Sequence, residues 1–311
     1  MTLSTQGKIM STREALAALI ERFTPDDGSV ETCCPRVNLY RLTQPSEPHH
    51  GLHDPSFCVL AQGRKRVTVG EVIHEYDDRN FFLSSIDVPA TGQVVDASVD
   101  KPYLSFRIVL DANLISEMIM ECGLAARLDA AAPLVGGMSA GAMTPQLFDA
   151  VCRMVSLLDA PEDVAVMAPL IEREILYRLL TGPQGPRLAQ IARRDGRLRQ
   201  VNRAIGWIKR NFDQPFSIDA VAEEARMSAS ALHQHFKAVT SLSPLQYQKQ
   251  IRLQEARRLI LVQRLDAATA GHTVGYDSPS QFSREYARLF GAPPLRDVAR
   301  LREQPQQMAG A

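Results

Sequence analysis

Val274-Gly-Tyr-Asp-Ser-Pro-Ser-Gln-Phe-Ser-Arg-Glu-Tyr-Ala-Arg-Leu-Phe-Gly-Ala-Pro-Pro294 is the stretch on which the fold turns. Ser278 has the side chain of a helix N-cap. Behind it Phe282, Tyr286 and Leu289 fall at i, i+4 and i+7, the spacing of one buried helical stripe. Pro294 follows the last of them past the helix end. Fifty residues upstream the pattern is written once before, as Ser228, Leu232, Phe236, Val239 and Pro244. A short helical segment and a tight turn precede each copy: Ile218 to Ala225 before Arg226-Met227, and Asp266 to Val274 before Gly275-Tyr276. This is a helix-turn-helix, twice, in which the second helix enters a DNA major groove and the first holds it in place. Between the copies Leu245 to Leu261 is free of Gly and rich in Gln, Arg and Leu, which predicts one continuous helix. Such a spacer of about 25 Å suits two recognition helices that must reach major-groove faces about 34 Å apart.

Charge agrees with that reading only through its distribution. The chain of 311 residues is neutral overall, but residues 1–186 carry 15 Lys+Arg against 24 Asp+Glu, net −9, and residues 187–311 carry 20 against 11, net +9. A basic half suits a polyanion, because neutralised phosphates supply most non-specific DNA affinity. The boundary is drawn at Thr181-Gly-Pro-Gln-Gly-Pro186, read as an interdomain turn. The length suits two domains, no apolar run spans a bilayer, and Met1 to Met10 has no secretory pattern, so a cytoplasmic protein is expected. Five cysteines without C-x-x-C spacing read as reduced thiols rather than a disulfide framework or zinc site, with an oxidant-sensing role for Cys33 or Cys34 left open.

In the acidic half, Phe57–Leu60, Arg66–Val69, Phe81–Leu83, Gln93–Val95 and Tyr103–Leu110 read as strands. Turns are expected at 62–64, 77–80, 89–92 and 100–102, which together predict a small β-barrel. Its interior is assigned to Phe57, Val59, Phe81, Leu83, Val95, Leu104 and Phe106, with either a ligand or packed side chains filling it. Leu147, Val151, Met154 and Leu158, then Ile171, Ile175 and Leu179, are helical stripes that pack on the barrel or form a subunit contact. His49, His50 and His53, with His74, are read as a surface loop rather than a metal cluster. Gly137-Met-Ser-Ala-Gly141 spells a hydrolase string. Pro133 to Val135 is too short for the strand that chemistry needs, and Thr144-Pro145 interrupts the helix, so a small-residue loop is expected and no enzyme.

The two repeats, through Ala222 to Lys237 and above all Val274 to Pro294, resemble the AraC/XylS family of transcription regulators over residues 199–303. Asp54 to Arg66 and Pro102 to Leu104 are similar to the N-terminal domain of one subgroup of that family. The resemblance implies an α+β chain: an N-terminal helical segment (1–29), a cupin-like β-barrel with helices for effector binding and dimerisation (30–186), and an all-α DNA-binding domain (187–311). It implies a sequence-specific regulator, an activator responsive to a small molecule; the alternative is a cupin-type enzyme fused to a DNA-binding domain. Double-stranded DNA, RNA polymerase, a small effector and a second copy are the expected partners, with no cofactor, metal or membrane. DNA contacts are assigned to Ser230, His233, Gln234 and Lys237 on the first recognition helix and to Ser280, Gln281, Ser283, Arg284 and Arg288 on the second. Gln suits adenine, His a purine edge and Arg guanine, while Lys237 suits phosphate. Gly271 departs from the family pattern and is expected to loosen its helix by about 1 kcal/mol.

Overall fold

The computed structural model describes residues 12–129, 136–192 and 197–303. The N-terminal domain opens with α1 (Thr12–Phe23) and holds two antiparallel sheets. The six-stranded sheet runs in the order β1 (Gly28–Glu31), β2 (Val37–Leu42), β9 (Tyr103–Val109), β4 (Ser56–Gln62), β7 (Asn80–Ser84) and β10 (Met138–Ala142). The four-stranded sheet runs β3 (His49–His53), β8 (Val88–Asp96), β5 (Arg64–Val69) and β6 (Val72–Asp77). Helices α2 (Ala112–Glu121), α3 (Ala125–Asp129), α4 (Pro145–Ser156), α5 (Val164–Thr181) and α6 (Gly185–Ala192) complete the domain. None of the described helices is long and apolar enough to cross a membrane.

An α+β chain with a sheet-rich first domain and a helical second is what the sequence led to, but the two sheets do not close into a barrel. They face each other instead, and this reverses the expected interior. Phe57, Val59, Phe81, Leu83, Leu104 and Phe106 all lie in the core between the six-stranded sheet and the helices, with Leu16, Val151 and Ile175. The alternate residues, Tyr40, Leu60, Phe82 and Tyr103, face the second sheet and pack with Val67, Tyr76, Val88 and Val94. The expected Val95 is only partly covered; its neighbour Val94 is the buried one. A sheet covered on both faces has two buried residue sets, and alternation alone cannot say which faces which layer.

Three further expectations change. The expected turn at 89–92 lies inside β8, His49 to His53 form strand β3 rather than a loop, and Gly137 to Gly141 contributes edge strand β10 rather than a loop. In β10 a side chain at Gly141 would overlap the Phe81 ring, so small residues mark close sheet packing here. Thr144 caps α4 with Pro145 in its first turn, and Ser139 bonds to Gln184. Pro133 to Val135 and Met1 to Met10 lie outside the described residues. Both helical stripes pack on the six-stranded sheet. The Gly-Pro turn does end α5, yet α6 beyond it stays with the same core through Leu188 and Ala189. All five cysteines are free thiols, and burial pushes Cys34 up to about 11.

The C-terminal domain comprises α7 (Arg197–Arg210), α8 (Ile218–Ala225), α9 (Ala229–Thr240), α10 (Pro244–Val262), α11 (Ala267–Thr273), α12 (Pro279–Phe290) and α13 (Pro294–Glu303). Pro244 and Pro294 stand at the first turns of α10 and α13, where a missing N–H costs nothing. Ser243 and Gln246 close a capping box on α10. Its 19 residues form the uninterrupted spacer expected, about 28 Å at 1.5 Å per residue.

Candidate nucleic-acid interface

The two helix pairs α8–α9 and α11–α12 are built by the same local devices. Ser228 and Ser278 accept from the backbone N–H groups of Ala231 and Gln281, closing the N-termini of α9 and α12. Leu232, Phe236 and Val239 are buried on one side of α9, and Phe282, Tyr286 and Phe290 on one side of α12. The sequence placed Leu289 in that last position; it is partly covered and Phe290 takes the core site.

With those stripes turned inward, the opposite faces are open. Ser230, His233, Gln234 and Lys237 are exposed together on α9, as are Ser280, Gln281, Arg284 and Arg288 on α12, while Ser283 is half-buried. Gln281 is already engaged, donating to Glu285 Oε1 at 3.0 Å.

Gly271 turns out to be a packing requirement. A Cβ there would stand 2.9 Å from Phe282 Cγ, so the glycine lets α11 approach the recognition helix beside it. That close contact stands against the glycine's propensity cost of about 1 kcal/mol. Gly275, at φ +86°, forms the turn between them where any side chain would overlap the Asp213 carbonyl.

Several residues that hold α12 in place were not singled out from sequence. Glu285 accepts from Lys249 at 2.7 Å and from the Tyr276 hydroxyl at 2.9 Å. Burial alone would raise the Glu285 pKa, but the hydrogen bonds from Lys249, Gln281 and Tyr276 outweigh it and hold the carboxyl below its usual range. Arg252 donates to the backbone carbonyls of Phe212, Gln214 and Gly275, tying the second unit's turn to the loop before α8. Asp297, fully buried, receives a forked pair from Arg257 at 2.8 and 2.9 Å and a third bond from the Tyr286 hydroxyl at 2.9 Å. On α10 and α13 these long polar side chains read as solvated faces, and only the tertiary fold pairs them.

Both units rest against the sheets. Lys209 Nζ lies 2.8 Å from Asp87 Oδ2, and the Tyr247 hydroxyl donates to the Asp87 carbonyl at 3.0 Å. Gly137 N–H donates to the Val239 carbonyl at the end of α9, 2.8 Å away. Arg300 and Glu47 pair at 3.6 Å, and the His50 ring meets the edge of Phe290 at 5.1 Å, at the end of α12. Burial first, then Arg257, pushes His49 and His50 down to about 4, so both are neutral at the interface near pH 7.

Comparison with known proteins gives the same two parts. Residues 34–187 match the family described as AraC-type transcriptional regulator N-terminus, and residues 221–300 match a helix-turn-helix domain family. The chain is 29% identical over 104 residues to the HTH-type transcriptional activator RhaS of Escherichia coli strain SE11, covering 33% of this chain and 37% of RhaS. It is 23% identical over 144 residues to the HTH-type transcriptional regulator ArgR of Pseudomonas aeruginosa, covering 46% of this chain and 44% of ArgR. The chain thus matches less than half the length of either relative. Among solved structures, ToxT from Vibrio cholerae O395 bound to (E)-4-(8-methylnaphthalen-1-yl)but-3-enoic acid superposes with a TM-score of 0.57 at 10% identity, over 88% of this chain and all of that one. Unsaturated fatty acid-bound ToxT from strain SCE256 gives 0.54 at 10% identity, covering 88% of this chain and 95% of ToxT.

Proposed function

This chain belongs to the AraC/XylS family of transcription regulators, and we propose that it reads a specific duplex by laying α9 and α12 into neighbouring major-groove faces. It is a DNA-binding transcription regulator and not an enzyme. The reading rests on one observation above the others: two N-capped helices on a single 19-residue spacer, each with its apolar stripe buried and its polar face open. In this proposal Gln234 pairs with adenine, His233 with a purine edge and Arg284 with guanine. Lys237 and Arg288 meet phosphate, and Ser230, Ser280, Gln281 and Ser283 supply shorter contacts.

The remaining parts belong to the same proposal. The chain acts in the cytoplasm as an activator that touches RNA polymerase, and its N-terminal domain senses a small molecule. A second copy docks on the face of α5 where Val166, Met167, Leu170 and Tyr177 are exposed, an apolar stripe on a helix whose other side is core.

The DNA contacts are tested by titrating the full chain with duplex DNA at several salt concentrations. The logarithm of affinity should fall linearly with the logarithm of salt, with a slope of about −0.9 per phosphate neutralised. Lys237→Ala should make that slope shallower by about one unit without changing which sequence is preferred. Affinity that does not respond to salt would remove the phosphate contacts from the account.

A further inference from the structure

Gln281 stands on the exposed face of α12 with a side chain that has two chemical ends. An amide offers a carbonyl that accepts and an NH2 that donates, and a free one can turn either end to a base. Here the choice is made in advance. Gln281 Nε2 donates to Glu285 Oε1 at 3.0 Å, and a carboxylate only accepts, so the nitrogen must face Glu285 and the carbonyl oxygen must face away.

An i, i+4 pair on a helix surface is by itself a weak restraint. This one is braced from outside the helix. The Lys249 ammonium, on the spacer α10, donates to Glu285 Oε1 at 2.7 Å, and the Tyr276 hydroxyl, from the turn before α12, donates to Oε2 at 2.9 Å. Both carboxylate oxygens are engaged, and the Glu285 side chain is only 23% exposed. Lys249 also offsets the negative charge that would otherwise repel DNA phosphates. The helix-turn-helix itself does without the arrangement. In the first unit the positions fifty residues upstream of Gln281 and Glu285 hold Ala231 and His235, and α9 forms with the same serine cap and buried stripe.

We infer that Glu285 is a positioning residue for base recognition: it fixes the Gln281 amide with its carbonyl oxygen toward the groove, so that α12 reads a base presenting an amino group. In the major groove adenine N6 and cytosine N4 are donors, whereas guanine and thymine offer only acceptors. Adenine fits best, because the second N–H of Gln281 remains for its N7. The inference deepens the proposal that α12 enters the groove and rests on it. Glu285 acts through Gln281 and meets no base itself.

The test uses the full chain. Bound duplexes are selected from a random pool with wild type, Gln281→Ala, Glu285→Gln, Lys249→Met and Tyr276→Phe, and each chain is then titrated with the four bases at the position that Gln281→Ala relaxes. Wild type should prefer adenine there over guanine or thymine by about tenfold or more. Glu285→Gln, whose amide can donate as well as accept, should free the Gln281 amide to turn and shrink that preference to about threefold or less. Lys249→Met and Tyr276→Phe each leave Glu285 held by the other donor, so both should keep the adenine preference, and Lys249→Met should weaken binding evenly across sequences. The preference is a ratio of affinities within one sample, so partial unfolding of a variant cancels. An unchanged preference in Glu285→Gln would overturn the inference. So would equal relaxation in Glu285→Gln, Lys249→Met and Tyr276→Phe, which marks a brace for the helix alone, or a wild-type preference for guanine or thymine. Wild-type selection by Gln281→Ala would remove Gln281 from the site and the inference with it, while Arg284→Ala still reports separately on whether α12 reads DNA.

Discussion

Asp297→Ala is expected to cost about 3 to 5 kcal/mol of stability, the range for removing one partner of a buried, hydrogen-bonded ion pair. Asp297 is the hub of the second unit: Arg257 grips both its oxygens from α10, Tyr286 donates from α12, and Arg300 reaches it at 3.2 Å from one turn along α13. Truncation strands the Arg257 guanidinium, which is 8% exposed and lies over the Phe290 ring, and leaves the Tyr286 hydroxyl without its acceptor. The double variant Arg257→Met with Asp297→Leu should recover part of the loss, because the guanidinium is no longer stranded while the Tyr286 hydroxyl still lacks an acceptor. Denaturant unfolding of the single and double variants checks this. A single-variant loss below about 1 kcal/mol would show that the pair is not holding α10, α12 and α13 together.

Phe282→Ala is the second large effect, again about 3 to 5 kcal/mol, from lost transfer energy and the cavity left behind. Its ring is 1% exposed, with Tyr276 at 5.3 Å and Tyr286 at 5.6 Å, and Gly271 lies against it because no side chain fits between. The core around Phe282, from Leu253 to Val298, is separate from the core that α8 and α9 share with the sheets. The second unit should therefore melt early and lose its groove contacts while the first remains folded. Near-ultraviolet circular dichroism during heating, with DNA binding measured alongside, checks the order of loss. A wild-type melting profile would contradict the packing described.

The second domain was largely legible in the sequence because its information is local. Serine caps, a stripe at i, i+4 and i+7, and prolines beyond the helix end need only a dozen residues each, and they appear where expected except that Phe290 takes the place of Leu289 at the end of the second stripe. The first domain was less legible because its sheet is buried twice. Phe57 and Cys58 are neighbours on one strand that face different layers, and nothing within β4 says which layer is helical. The same ambiguity hid what the layers bring together: Lys65 and Arg107 stand 42 residues apart and line one small cavity only once the sheets are stacked. Gly271 shows the limit of propensity, since its residue cost is set by a neighbour on another helix.

Sequence reading by α9 and α12 is tested most directly by selecting bound duplexes from a random pool with wild type, Gln234→Ala and Arg284→Ala. Both side chains are exposed and away from the buried stripes, so all three chains should melt alike. Wild type should recover two short fixed blocks about one helical turn apart. Gln234→Ala should relax one block and Arg284→Ala the other, each at a cost of about 1 to 3 kcal/mol in affinity for the selected site. Recovery of the wild-type site by both variants, with wild-type affinity, would contradict the assignment of these two helices as the reading elements.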